Sequence, residues 1–286
     1  MLHYIIWDVN PEIFHIGSFS VRWYGLLFAM GFLVGQRIML HIFRSEGLKE
    51  ELVDSITLYM VISTVIGARV GHYLFYEYPL LFADPVKWFT EMILPPYAGL
   101  ASHGATIGII VGLYLFSRNK HIRFFWIADR IVITIALAGF FIRMGNLMNS
   151  EIVGKPTDVP WAFLFMNNTE FAQVPRHPAQ LYEALSCLVL FVFLFALWRR
   201  FKTNLPQGTI TGIAMVYIFT LRFLYEFMKE NQVAFESQMS FNLGQILSIP
   251  ALLFGFMGIW WALRKRETHI FTDERYAAEL KAKAEN

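Results

Sequence analysis

The chain has 286 residues, of which 56% are hydrophobic, 17% aromatic and only 16% charged, with a formal net charge of +2. Soluble domains average about 45–50% apolar and about 25% charged residues, so this composition belongs to a membrane protein and excludes an ordinary soluble domain. The absence of a dense basic tract argues against nucleic acid as a partner. The single cysteine, Cys187, excludes an intrachain disulfide framework and a cysteine-based metal cluster.

The first twenty residues lack a basic leading region and a small-residue cleavage site, so the first hydrophobic helix is expected to serve as its own insertion signal. A spanning helix needs about 20 mostly apolar residues. Seven segments meet or approach this: 23–43, 55–76, 92–117, 131–149, 179–198, 203–227 and 243–263. The third and seventh are the cleanest, free of Asp, Glu, Lys and Arg throughout. The expected fold class is therefore an all-α polytopic membrane protein with seven transmembrane helices.

Basic residues in the connecting loops set the orientation. Arg44 and Lys49 follow the first segment, Arg118, Lys120 and Arg123 the third, Arg199, Arg200 and Lys202 the fifth, and Arg264, Lys265 and Arg266 the last. The alternate loops hold only Lys87, then Lys155 and Arg176, then Lys229. This alternation places the N-terminus outside and the C-terminus in the cytoplasm. Residues 1–266 read as a single transmembrane domain with a small extracytoplasmic cap, formed mainly by 77–91 and 151–178. Residues 267–286 read as a charged cytoplasmic tail, either a short helix or disordered.

One internal echo is present: Arg69-Val70-Gly71 with Glu77 repeats the spacing of Arg143-Met144-Gly145 with Glu151. It fits, weakly, the repeats of a lipid or anion transporter.

Charge at the bilayer centre costs roughly 2.5–3.5 kcal/mol on insertion scales, so ionisable residues within the spans are functional candidates. Arg37 lies close enough to the cytoplasmic end to snorkel. Arg69 reads equally as an ion-pair partner or a headgroup ligand. His103, among Gly99, Gly104 and Gly108, reads as a buried hydrogen-bonding residue or as a proton carrier, since imidazoles titrate near neutral pH. Arg143 opens a run containing Asn146, Asn149, Glu151 and Gly154 at the outer end of the fourth segment. On a continued helix Arg143, Asn146 and Gly154 would share a face. These donors suit a phosphate; the plain alternative is amide hydrogen bonding between helices. Arg222 and Glu226, spaced i,i+4, form either an intrahelical ion pair or a phosphate ligand with its support. The stretch from Arg176 through His177 and Tyr182 to Glu183 reads as a site mouth or as interfacial anchors, and the aromatic belt accounts for Trp23-Tyr24.

Taken in order, these clusters resemble the prolipoprotein diacylglyceryl transferase family. The matching pieces are Trp23-Tyr24-Gly25, Gly67-Ala68-Arg69-Val70-Gly71 and His103-Gly104. They continue through Arg143-x-Gly145-Asn146-x-x-Asn149-x-Glu151-x-x-Gly154 and Arg176-His177-Pro178-x-Gln180-Leu181-Tyr182-Glu183 to Arg222-x-x-x-Glu226-Phe227 and Gly244-Gln245. The resemblance implies seven spanning helices in the bacterial cytoplasmic (inner) membrane, with the active site near the extracytoplasmic leaflet. It implies transfer of diacylglyceryl from phosphatidylglycerol to the lipobox cysteine of a prolipoprotein, releasing glycerol phosphate, with no metal or other cofactor. The implied site residues are His103, Arg143 and Arg222 for catalysis. Tyr24, Asn146, Gly154 and Glu226, with Arg143, are implied to bind substrate, and Asn149 and Glu151, in the same run as Arg143, are expected to join them. Departures from the family pattern are Ile142, Leu147 and Ala105, Ile218 where a tyrosine is usual (with Tyr217 adjacent), and Lys229 in place of an arginine.

In physical terms the reaction needs a thiolate and a stabilised phosphate leaving group. A free thiol titrates near pH 8.5, so a base is required, and His103 is the candidate. Arginine grips phosphate bidentately, more strongly where water is scarce. Arg143 and Arg222 are therefore expected to hold the phosphate, Asn146 and Asn149 to orient the glycerol, and Glu226 and Glu151 to position the arginines.

Overall fold

The computed structural model describes residues 4–17, 19–94, 99–170, 174–230 and 241–272. By contacts the chain divides into one unit of residues 1–42 with 129–268 and another of 43–128 with 269–286.

The described residues are mostly helical. The helices are α1 (Trp23–Ser45), α2 (Glu51–Phe75), α3 (Tyr78–Ala83), α4 (Pro85–Ile93), α5 (Ser102–Asn119), α6 (Phe124–Met148), α7 (Ala179–Phe201), α8 (Thr209–Tyr225) and α9 (Leu243–Lys265). Five of them, α1, α2, α6, α7 with its appended 3-10 turn, and α9, are long and apolar enough to cross a membrane. The predicted segment 92–117 is not one helix, a correction to the sequence reading. Its first residues end α4 at Ile93, and α5 starts only at Ser102. Pro95 and Pro96 fall between them, and proline has no N–H to continue a helical ladder. The segment predicted at 203–227 narrows to α8, because Pro206 and Gly208 precede its first turn.

The fold is also not purely helical. Among the described residues four short strands occur: β1 (Tyr4–Trp7), β2 (Glu12–Ile16), β3 (Phe19–Arg22) and β4 (Ala162–Phe165). β1 pairs parallel with β4, and β2 pairs antiparallel with β3. Strands of four or five residues are too short for their alternation to register against an apolar background.

In the second unit, α2 and α5 cross at unusually close range. A Cβ added to Gly67 would lie 2.5 Å from the Gly104 carbonyl oxygen, and one on Gly71 would lie 2.5 Å from the Gly104 Cα. Gly67-x3-Gly71 faces Gly104-x3-Gly108-x3-Gly112, the small-residue spacing that lets membrane helices bring their backbones together. Arg69, also on α2, is 7% exposed and directs its guanidinium to the main-chain oxygens of Met92 (3.1 Å) and Gly99 (3.4 Å), with its Cζ 4.8 Å from the Tyr73 ring centroid. Between α1 and α2, Arg44 forks onto Glu50 at 2.6 and 2.8 Å, which holds the Glu50 carboxyl below its usual range. The tail enters this unit by pairing with the α5–α6 turn: Arg123 N–H donates to Ile270 and Thr272 N–H to His121, both at 2.9 Å. Residues 273–286, the greater part of the predicted tail, lie outside the described residues.

In the first unit, α8 starts on a carboxylate supplied by α6. Asp129, 1% exposed, accepts the backbone N–H groups of Gly208 and Thr211 at 2.8 Å each and the Thr211 hydroxyl at 2.7 Å. The opening N–H groups of a helix have no intrahelical acceptor, and this side chain satisfies them. α9 opens with a capping box, in which Asn242 accepts from Gln245 N–H while the Gln245 side chain accepts from Asn242 N–H. α8 and α9 meet where Gly212 faces Ile259 and Gly255 faces Val216.

Candidate active site

The site is built on the C-terminal end of α6. The Ser150 N–H bonds to the Leu147 carbonyl at 3.0 Å and the Glu151 N–H to the Asn146 carbonyl at 3.1 Å, the paired bonds of a Schellman motif. Ser150 occupies the left-handed position with φ 53°, and Ile152, a β-branched residue, follows at φ 58°. Side chains rarely adopt this conformation. The turn folds Glu151 back beneath its own helix. Its Oε1 accepts the Asn146 amide at 2.7 Å and the Asn149 amide at 3.3 Å. The Gln180 side-chain amide donates to the Glu151 carbonyl, tying the turn to α7.

Because α6 ends at Met148, Gly154 does not share a helical face with Arg143 and Asn146, contrary to the sequence expectation. Gly154 instead joins a bridge network. Its N–H donates to His177 O at 3.0 Å, Lys155 N–H donates to Met228 O at 2.7 Å, and Gly154 pairs with Lys229 as an isolated antiparallel bridge. A Cβ at Gly154 would lie 2.6 Å from the His177 Cβ and 2.9 Å from the Met228 carbonyl oxygen. Glycine there permits three chain segments to meet.

Arg143 is partnered by a residue that sequence spacing did not assign to it. Its Nε lies 2.7 Å from Glu183 Oε2, and its Nη1 donates to Asn146 Oδ1 at 3.1 Å. Glu183 also contacts the Lys229 ammonium through Oε1. Glu226 lies 3.7 Å from Lys229 and accepts the Asn242 amide at 3.0 Å. The expected pairing of Arg222 with Glu226 is therefore not what supports Arg222, nor does Glu151 contact Arg143; these are corrections. A helix geometry argument sees only i,i+3 and i,i+4 neighbours, whereas Glu183 and Asn242 belong to α7 and to the cap of α9. Arg222 is half-buried and has no hydrogen-bond or ion-pair partner among the described residues.

Arg143, Glu183, Arg222, Ser186, Tyr217 and Tyr225 line a cavity of about 100 Å³, together with Cys187 and Ile218. Tyr217 donates to the Ser186 carbonyl at 3.2 Å, and the Ser186 and Tyr225 hydroxyls are hydrogen-bonded to each other. Tyr24, at the start of α1, packs on Gly145, whose added Cβ would lie 2.8 Å from the Tyr24 ring, and is within electrostatic reach of Glu151 and Arg143.

Arg176 and His177 have structural partners. Arg176 is 7% exposed; its backbone pairs with Phe163 in both directions, and its guanidinium bonds to the Gly154 carbonyl and Glu230. His177 Nδ1 and the Trp161 indole N–H both meet the Tyr182 hydroxyl, at 3.1 and 2.8 Å. His103 sits exposed in the first turn of α5, in the second unit. The echo between 69–77 and 143–151 has no counterpart in contacts: Arg69 binds main-chain oxygens, while Arg143 binds a carboxylate. Among the described residues no group of three or more His, Cys, Asp or Glu side chains is arranged to hold a metal.

Two arginines, Arg143 and Arg222, line one small cavity together with the Glu183 carboxylate, and the Asn146 and Asn149 amides lie near Arg143 at the end of α6. Paired guanidinium groups of this kind are the donors that suit a phosphate or carboxylate. A family model described as prolipoprotein diacylglyceryl transferase matches residues 11–261. A phosphatidylglycerol–prolipoprotein diacylglyceryl transferase of Bacteroides fragilis is 39% identical over 277 residues, covering 92% of this chain and 96% of its own. Proteins of the same description from Chloroherpeton thalassium and Tolumonas auensis are 38% and 40% identical, covering 92% and 88% of this chain and 96% and 95% of their own.

Proposed function

The chain belongs to the prolipoprotein diacylglyceryl transferase family, and we propose that Arg143 and Arg222 hold the phosphate of its lipid donor. The enzyme transfers the diacylglyceryl group of phosphatidylglycerol to the cysteine thiol of a prolipoprotein, the first step of lipoprotein maturation. The thiolate sulfur attacks the terminal glyceryl carbon. A thioether forms, the carbon–oxygen bond to phosphate breaks, and glycerol phosphate leaves with the bonding electrons.

The observation that carries the site assignment is the convergence of Arg143 and Arg222 on one cavity, with Arg143 held by Glu183 at 2.7 Å. Charge growing on the leaving phosphate meets guanidinium groups placed before reaction begins, in surroundings poor in water. Asn146, Asn149 and Glu151 form a neighbouring polar group suited to the glycerol hydroxyls, and Glu151 supplies a carboxylate acceptor. Tyr24 flanks this group; Gly154 and Glu226 complete the proposed binding region, Gly154 by letting three chain segments meet and Glu226 through Lys229. His103 is the candidate to take the thiol proton. A pH–rate profile unchanged in His103→Gln would rule that role out.

The remaining reading concerns the membrane. α5 and α8, added to the five long apolar helices, make seven spans, with the N-terminus outside and the basic loops in the cytoplasm of the bacterial inner membrane. The site then lies toward the extracytoplasmic leaflet, where a prolipoprotein presents its lipobox after export. The acyl tails remain among the helices and lipids throughout. Residues 1–266 act as one catalytic domain, with 77–91 and 151–178 as its cap.

Incubation of the purified chain with phosphatidylglycerol vesicles and a lipobox peptide should yield the diacylglyceryl adduct by mass spectrometry. An unmodified peptide, under conditions where a known relative modifies it, would overturn the reading.

A further inference from the structure

We propose that Lys229 is a positioning residue for the transfer reaction, acting through Glu183 on the orientation of Arg143; this rests on the reading of Arg143 as a phosphate ligand. Four charges alternate along a row that runs from half-buried Arg143 on α6 to three buried groups, Glu183 on α7, Lys229 just beyond α8, and Glu226 at the C-terminal cap of α8. Lys229 is 4% exposed, and Glu183 and Glu226 are each 8% exposed. Glu183 divides its two oxygens between cations, Oε2 lying 2.7 Å from Arg143 Nε and Oε1 touching the Lys229 ammonium. Glu226 closes the row, 3.7 Å from Lys229, and is itself held by the Asn242 amide at 3.0 Å.

Lys229 does not line the cavity, whereas Glu183 and Arg143 do. Any influence of the lysine on substrate therefore passes through Glu183. The row is electrically balanced, with two cations against two carboxylates, so neither carboxylate has to draw compensation from the cavity. Without Lys229, Glu183 would be a buried carboxylate facing one cation. In a low-dielectric setting it would pull the Arg143 guanidinium toward α7, away from an incoming phosphate. The Lys229 main chain is anchored, since Lys229 bridges Gly154 and the preceding Met228 carbonyl accepts Lys155 N–H at 2.7 Å, and the two carboxylates place the ammonium. Lysine suits this point because one compact ammonium contacts two carboxylates without needing a planar fork.

The test is a double-mutant cycle on the purified full chain, measuring kcat and KM for phosphatidylglycerol with a lipobox peptide, alongside thermal melting. Lys229→Met is expected to lower kcat/KM by about tenfold or more, and Lys229→Arg to recover it to within about threefold of the parent. In a Glu183→Gln background, Lys229→Met should cost less than about twofold, because the group it acts through is already neutral. Equal fold-losses from Lys229→Met in both backgrounds would overturn the proposal, as would a Lys229→Met protein within about twofold of the parent. If Lys229→Met does not fold, Lys229→Gln takes its place in the cycle with the same two outcomes. A parent enzyme that forms no adduct would refute the functional reading, whereas an active parent with independent losses would refute only the role of Lys229.

Discussion

Glu183 is ion-paired with Arg143, its Oε2 lying 2.7 Å from Nε without a hydrogen bond between them, while Arg143 Nη1 donates to Asn146 Oδ1 at 3.1 Å. The second terminal nitrogen has no hydrogen-bond partner among the described residues. The guanidinium is thus fixed on two sides by groups from α6 and α7 and keeps a donor for the cavity it lines.

Arg143→Ala should reduce adduct formation by about a hundredfold or more, the scale associated with losing a preorganised charge-stabilising donor. Arg143→Lys should recover little, because one compact ammonium cannot contact Glu183, Asn146 and a phosphate together as the spread donors of a guanidinium can. Quantitative mass spectrometry of the peptide adduct checks both. Undiminished turnover by a folded Arg143→Ala protein would remove this residue from the site.

Arg222 is not restrained by an ion pair among the described residues, so its replacement should act on substrate more than on the fold. Arg222→Gln is expected to lower kcat/KM for phosphatidylglycerol by about tenfold or more while shifting Tm by less than about 2 °C. A large drop in Tm with unchanged kinetics per folded molecule would show that Arg222 is structural.

Ser150→Gly should stabilise the protein. The left-handed conformation at φ 53° costs a side chain roughly 1–2 kcal/mol, and glycine avoids this at a smaller cost in unfolded-state entropy. The Ser150 hydroxyl is buried without a hydrogen-bond partner, so no side-chain bond is lost. A rise in Tm of a few degrees with the parent activity is expected. A fall would mean that the hydroxyl has a role in the turn.

Gly104→Ala should disrupt the α2–α5 crossing. An added Cβ would lie 2.7 Å from the Gly71 Cα, and backbone on both helices leaves little room for relaxation. Overpacking of this kind costs typically 1–3 kcal/mol. Gly25→Ala, where nothing lies within 4 Å, serves as the control and should leave Tm within about 1 °C. Equal effects at the two positions would refute the packing account.

The sequence by itself determined that the chain enters a membrane, because composition and apolar run length depend on no partner. It also marked Arg143, Asn146, Asn149 and Glu151, since polar groups ending an apolar helix stand out wherever the fold puts them. Family motifs carried the reaction. The break near Pro95 and Pro96 was legible in principle, yet a count of charges alone ran through it. Only the tertiary structure decided who pairs with whom. Arg222 and Glu226 satisfy the helical i,i+4 rule, but Glu226 turns to Lys229 and Asn242, while Arg143 takes Glu183 from another helix. Asp129 on α6 caps a helix that starts 80 residues later. Periodicity reports which side of a helix a residue occupies. It carries no information about which other helix faces that side, and a buried charge is compensated by whatever packing brings within about 4 Å.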